Sequence, residues 1–275
     1  MAGKIFVVTG ANKGIGFGIV RGLAQQLHGA TIYLTARTPC ADFATFLNKT
    51  HGGLDVLINN AGFAFKQNAT ESAGVQADVT IGINYYGTKL ISDHLAPLIR
   101  AGGRIVNSLT ELFSRGDFTL DDITNFVEEY KKLAHADNRK QGGYPESAYS
   151  VSKTAEIALT LVQARELARR NIVVNACCPG YVDTDMTSHK GHRTIAQGAE
   201  TPIFLAIDET AIVRDEEYQN KQQQTIDQLT EKQKETTGLF VDSAADLFPC
   251  VTLFLPGAQI QANFGPDFFK IADRI

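Results

Sequence analysis

A glycine-rich turn near the start of the chain constrains the fold more than any other feature. The apolar residues 5–8 lead into TGANKGIG at residues 9–16, and a helical stretch continues to about Leu27. A second apolar strand is predicted over residues 31–36. The chain therefore opens as a β-α-β unit, in which a crossover helix connects two parallel strands.

The same alternation continues along the chain. Further apolar strands are predicted at 55–58, 104–110 and 172–177, and helices at 41–48, 77–99, 147–170 and 198–207. Strands that are apolar throughout and separated by helices indicate a parallel sheet covered on both faces. With no repeat and no Pro-rich linker, residues 1–275 are predicted to form one doubly wound, Rossmann-like α/β domain.

Composition excludes several classes of partner. The 275 residues are 44% hydrophobic, with a net charge of −4 and a pI near 5.9. This balance gives no basic surface for nucleic acid or anionic membrane, and no window reaches the ~20 apolar residues of a membrane span. We expect a small-molecule partner. The start of the chain shows no leader and the four cysteines show no metal spacing, which predicts a cytoplasmic protein with reduced thiols and no metal.

The glycines of the turn are suited to a dinucleotide. Gly10, Gly14 and Gly16 lie between a strand and a helix, where a missing side chain lets a pyrophosphate reach the backbone N–H groups. A tight turn without a ligand is the alternative. Lys13 in the turn and Arg37 after the second strand are positively charged, and no acid ends that strand. This pattern favours the 2′-phosphate of NADP over the 2′-hydroxyl of NAD.

A tyrosine and a lysine share one face of a predicted helix. Tyr149 and Lys153 are four positions apart, and side chains at that spacing are neighbours. The pKa of a free tyrosine is about 10, and an adjacent cation favours the phenolate, so the pair suits general acid or base catalysis. Taken alone, the spacing is more often that of a solvated surface pair without chemistry.

Several motifs in order resemble the short-chain dehydrogenase/reductase family. They are TGANKGIG at 9–16, NNAG at 59–62, Asn84, Tyr149 with Lys153, and Pro179-Gly180. Within that family the chain is most similar to the monomeric carbonyl reductases. The further segments that carry this resemblance are 52–62, 147–149, 175–180, 198–202 and the insertion 111–146.

The resemblance implies transfer of a hydride from NADPH to a carbonyl carbon. Tyr149 would protonate the oxygen, Lys153 would lower the tyrosine pKa and hold the ribose, and Asn84 would anchor a water of the proton relay. The predicted cofactor contacts are Gly10, Asn12, Lys13, Gly14, Ile15, Gly16, Arg37, Asn59, Asn60, Ala61, Gly62, Tyr149, Lys153, Pro179, Gly180, Val182, Asp183 and Thr184.

A hydroxyl beside Tyr149 is expected to complete the catalytic set, because charge builds on the carbonyl oxygen during the reaction. Ser108 and Thr110 share one face of the predicted strand. Relatives carry a serine at the position of Thr110. We predict Thr110 as the catalytic hydroxyl, with Ser108 as the alternative, and expect slower or narrower catalysis because the threonine methyl crowds the pocket.

The segment between Arg37 and Asn59 is shorter than in relatives. It has room for one helix and one strand, so the family's third strand, at the sheet edge beside residues 31–36, is predicted to be missing. An unpaired edge invites covering. We expect weaker cofactor binding, and an edge covered by the segment around 250–255 or by a second chain. The insertion 111–146 favours a monomer, while an open edge would favour a dimer.

The predicted activity is NADPH-dependent reduction of a ketone, aldehyde or quinone. A lipid alcohol dehydrogenase uses the same chemistry, and a cofactor-sensing protein with weak turnover is the alternative from another class. The charged helical insertion 208–237 is expected to be a solvated surface helix or loop. The extension 242–275 is expected to be a structural appendage, with a cap over the substrate cleft as the alternative. Apolar residues that suit a bulky substrate, or alternatively the core, are Phe63, Phe65, Leu112, Tyr144 and Tyr181.

Overall fold

The computed structural model describes residues 2–35, 39–108 and 118–211, together with two strands at 259–263 and 268–271. The strands are β1 (Ile5–Thr9), β2 (Thr31–Thr35), β3 (Leu54–Asn59), β4 (Ile99–Ser108), β5 (Val173–Cys177), β6 (Gln259–Asn263) and β7 (Phe268–Ile271). The α-helices are α1 (Gly14–Gln26), α2 (Cys40–His51), α3 (Ala73–Ile81), α4 (Gly87–Leu95), α5 (Leu120–His135), α6 (Ala148–Leu167) and α7 (Ile195–Ile207).

The strands form one sheet in the order β5-β4-β3-β1-β2-β6-β7. β1 to β6 are parallel to their neighbours, and β7 is antiparallel to β6. The predicted doubly wound α/β fold is confirmed. The direction of winding reverses at β1 and β3, and in such sheets ligands bind where the carboxyl ends of these strands meet.

The outer edge of β2 is paired from within the chain. Among the described residues between β2 and β3, α2 is the only helix or strand, so no strand is found there in residues 39–53, as predicted. The place beside β2 in the sheet is taken by β6, which pairs with β2 from Thr31↔Gln259 to Thr35↔Asn263. The edge is thus covered by a later part of the same chain, at 259–263; the predicted segment 250–255 lies outside the described residues.

Each central strand sends alternate side chains to opposite faces of the sheet. Phe6 and Val8 of β1 pack with α1 and α7 in one cluster, while Ile5 and Val7 pack with α2 and α4 in another. All four side chains are buried. This two-sided burial explains why the strand sequence is apolar without alternation.

The long helix predicted over 77–99 is divided in the structure. A π-helical turn, Gly82–Tyr86, separates α3 from α4, and the short 3-10 turn Ala96–Leu98 leads into β4 at Ile99. Asn84 lies in the π turn and bonds to the main chain of Phe63. An insertion that widens one helical turn redirects a side chain, and such turns are frequent at functional sites.

The described part of the insertion 111–146 contains α5. Thr119 caps its first turn, accepting from the backbone N–H of Asp122, whose carboxylate accepts from the Thr119 backbone. α5 packs against α3 and α6 in a third hydrophobic cluster.

Among the helices of the described ranges, none combines the length and hydropathy of a membrane span. The predicted insertion 208–237 lies outside these ranges beyond residue 211, and so does the extension 242–275 apart from β6 and β7.

Candidate active site

The glycine turn after β1 lies directly against the segment that follows β3. Gly10 has a left-handed backbone with φ of 62°, and a Cβ atom there would lie 2.7 Å from the Cα of Ala61. At Gly16 a Cβ would lie 2.6 Å from the carbonyl oxygen of Gly10. Only glycine permits both close approaches.

Asn60 and Thr9 hold this turn in place. The side-chain amide of Asn60 donates to the carbonyl oxygens of Thr9 (3.0 Å) and Gly10 (3.4 Å). In return, the hydroxyl oxygen of Thr9 accepts from the backbone N–H groups of Asn60 (3.1 Å) and Ala61 (3.0 Å). The NNAG motif therefore has a structural task, which is to fix the shape of the glycine turn.

The geometry of the glycine turn is suited to binding a dinucleotide. The helix α1 begins without a side-chain cap and without an acid in its first turn, so its first N–H groups are available to an anion. The turn borders a cleft of about 1190 Å³. The predicted cofactor contacts that line this cleft are Gly10, Asn12, Lys13, Gly14, Ile15, Gly16, Asn60, Ala61, Gly62, Asp183 and Thr184.

Replacing Gly16 by alanine is expected to disrupt this cradle. The added methyl would overlap the Gly10 carbonyl and the amide nitrogen of Asn60, 2.4 Å away. We expect a loss of about 1–3 kcal/mol of stability and much weaker NADPH binding, measured by urea unfolding and by fluorescence titration. Gly82→Ala is the matched control, because nothing lies within 4 Å of its Cβ position. Equal behaviour of the two variants would contradict this role of Gly16.

The loop after β5 carries an ionic network at the other side of the cleft. His189 Nδ1 lies 2.7 Å from a carboxylate oxygen of Asp183, and its Nε2 lies 3.3 Å from Asp185. Lys13 of the glycine turn donates to Asp185 at 2.5 Å. This contact lowers the pKa of the Asp185 carboxyl group. The cation predicted to bind the cofactor therefore has an acidic partner across the cleft in this structure.

The predicted catalytic pair lies on the first turns of α6. Ser147 caps the helix by accepting from the backbone N–H of Ser150. The ammonium of Lys153 lies 5.6 Å from the centre of the Tyr149 ring, which confirms that the two side chains share one face. Lys153 is only 6% exposed, so the alternative of a solvated surface pair is wrong.

The environment of Lys153 keeps its amine charged. The nitrogen lies 2.6 Å from a carboxylate oxygen of Glu156, itself 3% exposed. Burial lowers the pKa of Lys153, but the Glu156 carboxylate and the Tyr149 phenol outweigh it and raise that pKa above its ordinary value. Lys153 therefore presents a positive charge beside the Tyr149 ring.

Asn84 joins the π turn to α6 and to the strand-end segment. Its side-chain amide donates to the carbonyl oxygen of Phe63 (3.0 Å) and to the hydroxyl of Ser152 (2.8 Å), and its carbonyl oxygen accepts from the N–H of Phe63 (2.7 Å). A Cβ at Gly62 would lie 3.6 Å from Asn84 and 3.7 Å from the Lys153 nitrogen. Asn84 and Lys153 thus meet next to a cleft-lining glycine.

Other predicted residues occupy different positions. Asn59 is buried, and its side chain donates to Ser92 and Asn107 inside the protein. Ser108 ends β4 and is paired in register with Cys177 of β5. The predicted cofactor contacts that do not line the cleft are Asn59, Tyr149, Lys153, Pro179, Gly180 and Val182. Thr110 and Arg37 lie outside the described residues, so their assignments stay predictions.

The aromatic residues predicted near the substrate divide into two groups. Phe63 and Phe65 line the cleft, with ring centres 4.9 Å apart. Tyr144 instead packs on Phe126 and Tyr130 in the cluster around α5. Of the two possibilities for this residue, substrate contact or core, the structure supports the core. Tyr181 is 47% exposed. Leu112 lies outside the described residues.

Glu156 and Thr88 are site residues that the motifs do not reveal. The hydroxyl of Thr88, on α4, donates to the Glu156 carboxylate at 3.2 Å. The spacing of three positions between Lys153 and Glu156 was the available signal, since such pairs are helical neighbours. Within the described ranges, no group of side chains has the arrangement of a metal site, and Cys40, Cys177 and Cys178 form no disulfide.

Two family models match the chain. The model described as "short chain dehydrogenase" matches residues 137–194, which include Tyr149 and Lys153. The model described as "Enoyl-(Acyl carrier protein) reductase" matches residues 34–111, which include Asn84.

Full-length relatives show the same likeness. The chain is 34% identical to carbonyl reductase [NADPH] 3 of Rattus norvegicus over 252 positions, covering 74% of this chain and 91% of that protein. It is 36% identical to carbonyl reductase [NADPH] 1 of Bos taurus over 255 positions, covering 74% and 90%. The 252 and 255 aligned positions are more than 74% of the 275 residues of this chain, so both alignments contain gaps in this chain. The short segment between β2 and β3 leads one to expect such gaps.

A solved structure shares the fold. Salutaridine reductase of Papaver somniferum superposes with a TM-score of 0.65 at 24% identity, covering 74% of this chain and 95% of that one.

Proposed function

This chain belongs to the short-chain dehydrogenase/reductase family, and we propose that it is an NADPH-dependent reductase of carbonyl compounds with Tyr149 as the proton donor. The observation that carries the proposal is the meeting of Tyr149, buried Lys153 and Asn84 next to a cleft that begins at a glycine cradle. When bound, NADPH supplies the hydride.

The residues of α6 deliver the proton. Tyr149 donates its phenolic proton to the carbonyl oxygen as negative charge develops there, which lowers the barrier. Lys153, held charged by Glu156, stabilises the phenolate that remains. Asn84, fixed by three hydrogen bonds, holds the main chain at Phe63 in place and is assigned to the relay that returns the proton to Tyr149.

The substrate is proposed to be an apolar ketone, aldehyde or quinone. Phe63 and Phe65 form an aromatic wall in the cleft, and Met186 and Ile195 add apolar surface, being 43% and 37% exposed. Substrate binding is stabilised when such walls remove apolar substrate surface from water. A panel of quinones, aromatic ketones and aliphatic aldehydes, with NADPH consumption followed by absorbance, tests the activity. NADPH binding without reduction of any panel member would favour a cofactor sensor.

Lys13 is proposed to recognise the 2′-phosphate of NADPH after release from Asp185. Lys13→Ala is expected to raise the Kd for NADPH by about tenfold, the value of one hydrogen bond between charged groups, with little change for NADH. Asp185→Asn should have the opposite sign, because it removes the competing carboxylate. Isothermal titration of both nucleotides measures these effects. Equal losses for NADPH and NADH in Lys13→Ala would contradict the assignment.

A further inference from the structure

Glu156 is a buried carboxyl group in direct contact with the ammonium of Lys153. It lies on α6, three positions after the lysine, and its carboxylate oxygen Oε2 is 2.6 Å from the lysine nitrogen. The other oxygen accepts from Thr88 of α4 at 3.2 Å. The side chains of Lys153 and Glu156 are 8% and 3% exposed, so water screens this ion pair little.

Such a pair is costly to bury. Removing two charges from water carries a desolvation penalty that their attraction does not always repay, and hydrophobic residues at both places would avoid it. A lysine that must be charged to act on a neighbouring tyrosine cannot be replaced by a hydrophobic residue. Burial alone would favour its neutral amine. A negative charge held next to the buried lysine keeps its amine protonated.

We propose that Glu156 is a positioning residue of the reaction, which holds Lys153 in its charged form and fixes where its ammonium points. The contact between Glu156 and Lys153 is an observation of the structure. Its effect on catalysis rests on the proposed function. An ammonium has three N–H donors. The ion pair with Glu156 anchors the group, and N–H donors remain for the side of Tyr149 and Gly62, where the Lys153 nitrogen already lies.

Three titratable groups face Lys153. They are Glu156 and Tyr149 on α6 and the thiol of Cys178 after β5. Burial raises the pKa of Glu156, against the lowering effects of Lys153 and Thr88. Of the three, Glu156 makes the direct ion-pair contact, with its carboxylate oxygen 2.6 Å from the lysine nitrogen. Without Glu156, the pKa of Lys153 falls because the largest effect that opposes burial is lost.

The direct test is the ionisation of Lys153 in the intact protein without substrate. In protein labelled with carbon-13 lysine, the ε-methylene signal of Lys153 is identified by its loss in Lys153→Arg. We expect this signal to remain in the charged form across the pH range in which the wild-type protein is folded. In Glu156→Gln it should titrate within that range, at least about one pH unit lower.

Two variants control this experiment. Glu166→Gln removes one carboxylate from an exposed position on the same helix and should leave the Lys153 signal unchanged. Glu156→Asp keeps the negative charge and should restore most of the wild-type behaviour. The proposal is overturned if Glu156→Gln leaves the ionisation of Lys153 unchanged, or if Glu166→Gln shifts it equally.

The kinetic readout is the basic limb of the pH profile for carbonyl reduction. In Glu156→Gln this limb should move to lower pH by about one unit or more, because either Lys153 or Tyr149 loses its proton earlier. A purely structural role would lower kcat without moving the limb, and that result would overturn the catalytic consequence. Complete lack of reductase activity in the wild type would refute the proposed function, while the signal of Lys153 would still test the contact.

A variant that does not fold is also informative. Removing one member of a buried ion pair leaves an unpaired charge. If Glu156→Gln is unfolded by circular dichroism, the double variant Lys153→Met/Glu156→Gln should recover the fold, since no charge remains to be compensated. An unfolded double variant would show that Glu156 serves something other than Lys153, and the proposal would fail.

Discussion

Tyr149→Phe is expected to lower kcat for carbonyl reduction by roughly 10²- to 10⁴-fold, the usual contribution of a positioned general acid. The substitution removes one hydroxyl and leaves the ring over Lys153. NADPH binding should persist, because the glycine cradle and the start of α1 are unchanged. Steady-state rates with the best substrate of the panel, combined with NADPH titration of the same sample, measure both effects.

Tyr86→Phe is the matched control for this prediction. The Tyr86 hydroxyl donates to Glu128 of α5 at 2.7 Å, so this variant also loses one phenolic hydrogen bond but leaves the catalytic pair intact. We expect its kcat to stay within a factor of a few of the wild-type value. A Tyr149→Phe enzyme that retains wild-type turnover would remove Tyr149 from the mechanism.

Asn84→Ala is expected to damage both stability and turnover. The side chain is fully buried, and its loss leaves the N–H and carbonyl groups of Phe63 and the hydroxyl of Ser152 without their partner. Each group left unsatisfied costs about 1–3 kcal/mol, and water can replace some of the lost hydrogen bonds. We therefore expect a decrease of about 2–4 kcal/mol in the free energy of unfolding. Urea unfolding at equilibrium measures it.

Two further variants separate the contributions of Asn84. Asn48→Ala, at an exposed position of α2, should change stability little. Asn84→Asp keeps an acceptor for the Phe63 N–H but loses the donor to its carbonyl oxygen, so its stability should fall between those of the wild type and Asn84→Ala. Wild-type stability and kcat in Asn84→Ala would show that the π turn has no bearing on the site.

The residues of the glycine turn and of α6 were predictable because their signals are local. A turn that admits only glycine at Gly10 and Gly16 depends on a few neighbouring backbone atoms, and a strand buried on both faces is apolar at every position. The pairing of Tyr149 with Lys153 follows from helical geometry alone. Each of these predictions required one element and its immediate contacts.

The division of the long helix was not predictable in the same way. Hydrophobic spacing through residues 77–99 is compatible with a continuous helix, and the π turn at Gly82–Tyr86 is stabilised by bonds from Asn84 to Phe63 and Ser152, which are distant in sequence. Similarly, β6 reaches β2 from more than two hundred positions away. Sequence reasoning anticipated that this edge needed covering but placed the covering segment a few residues too early.

By itself, the sequence determined the α/β class, the glycine cradle and the helical face that carries Tyr149 and Lys153, because each depends on short-range periodicity and backbone sterics. Only the tertiary structure decided that Lys153 is buried against Glu156 and Thr88, that Asn60 clamps the glycine turn, and that Lys13 faces Asp185. Burial and charge pairing arise when separate elements pack together. The charge state of Lys153 is therefore a property of the folded chain.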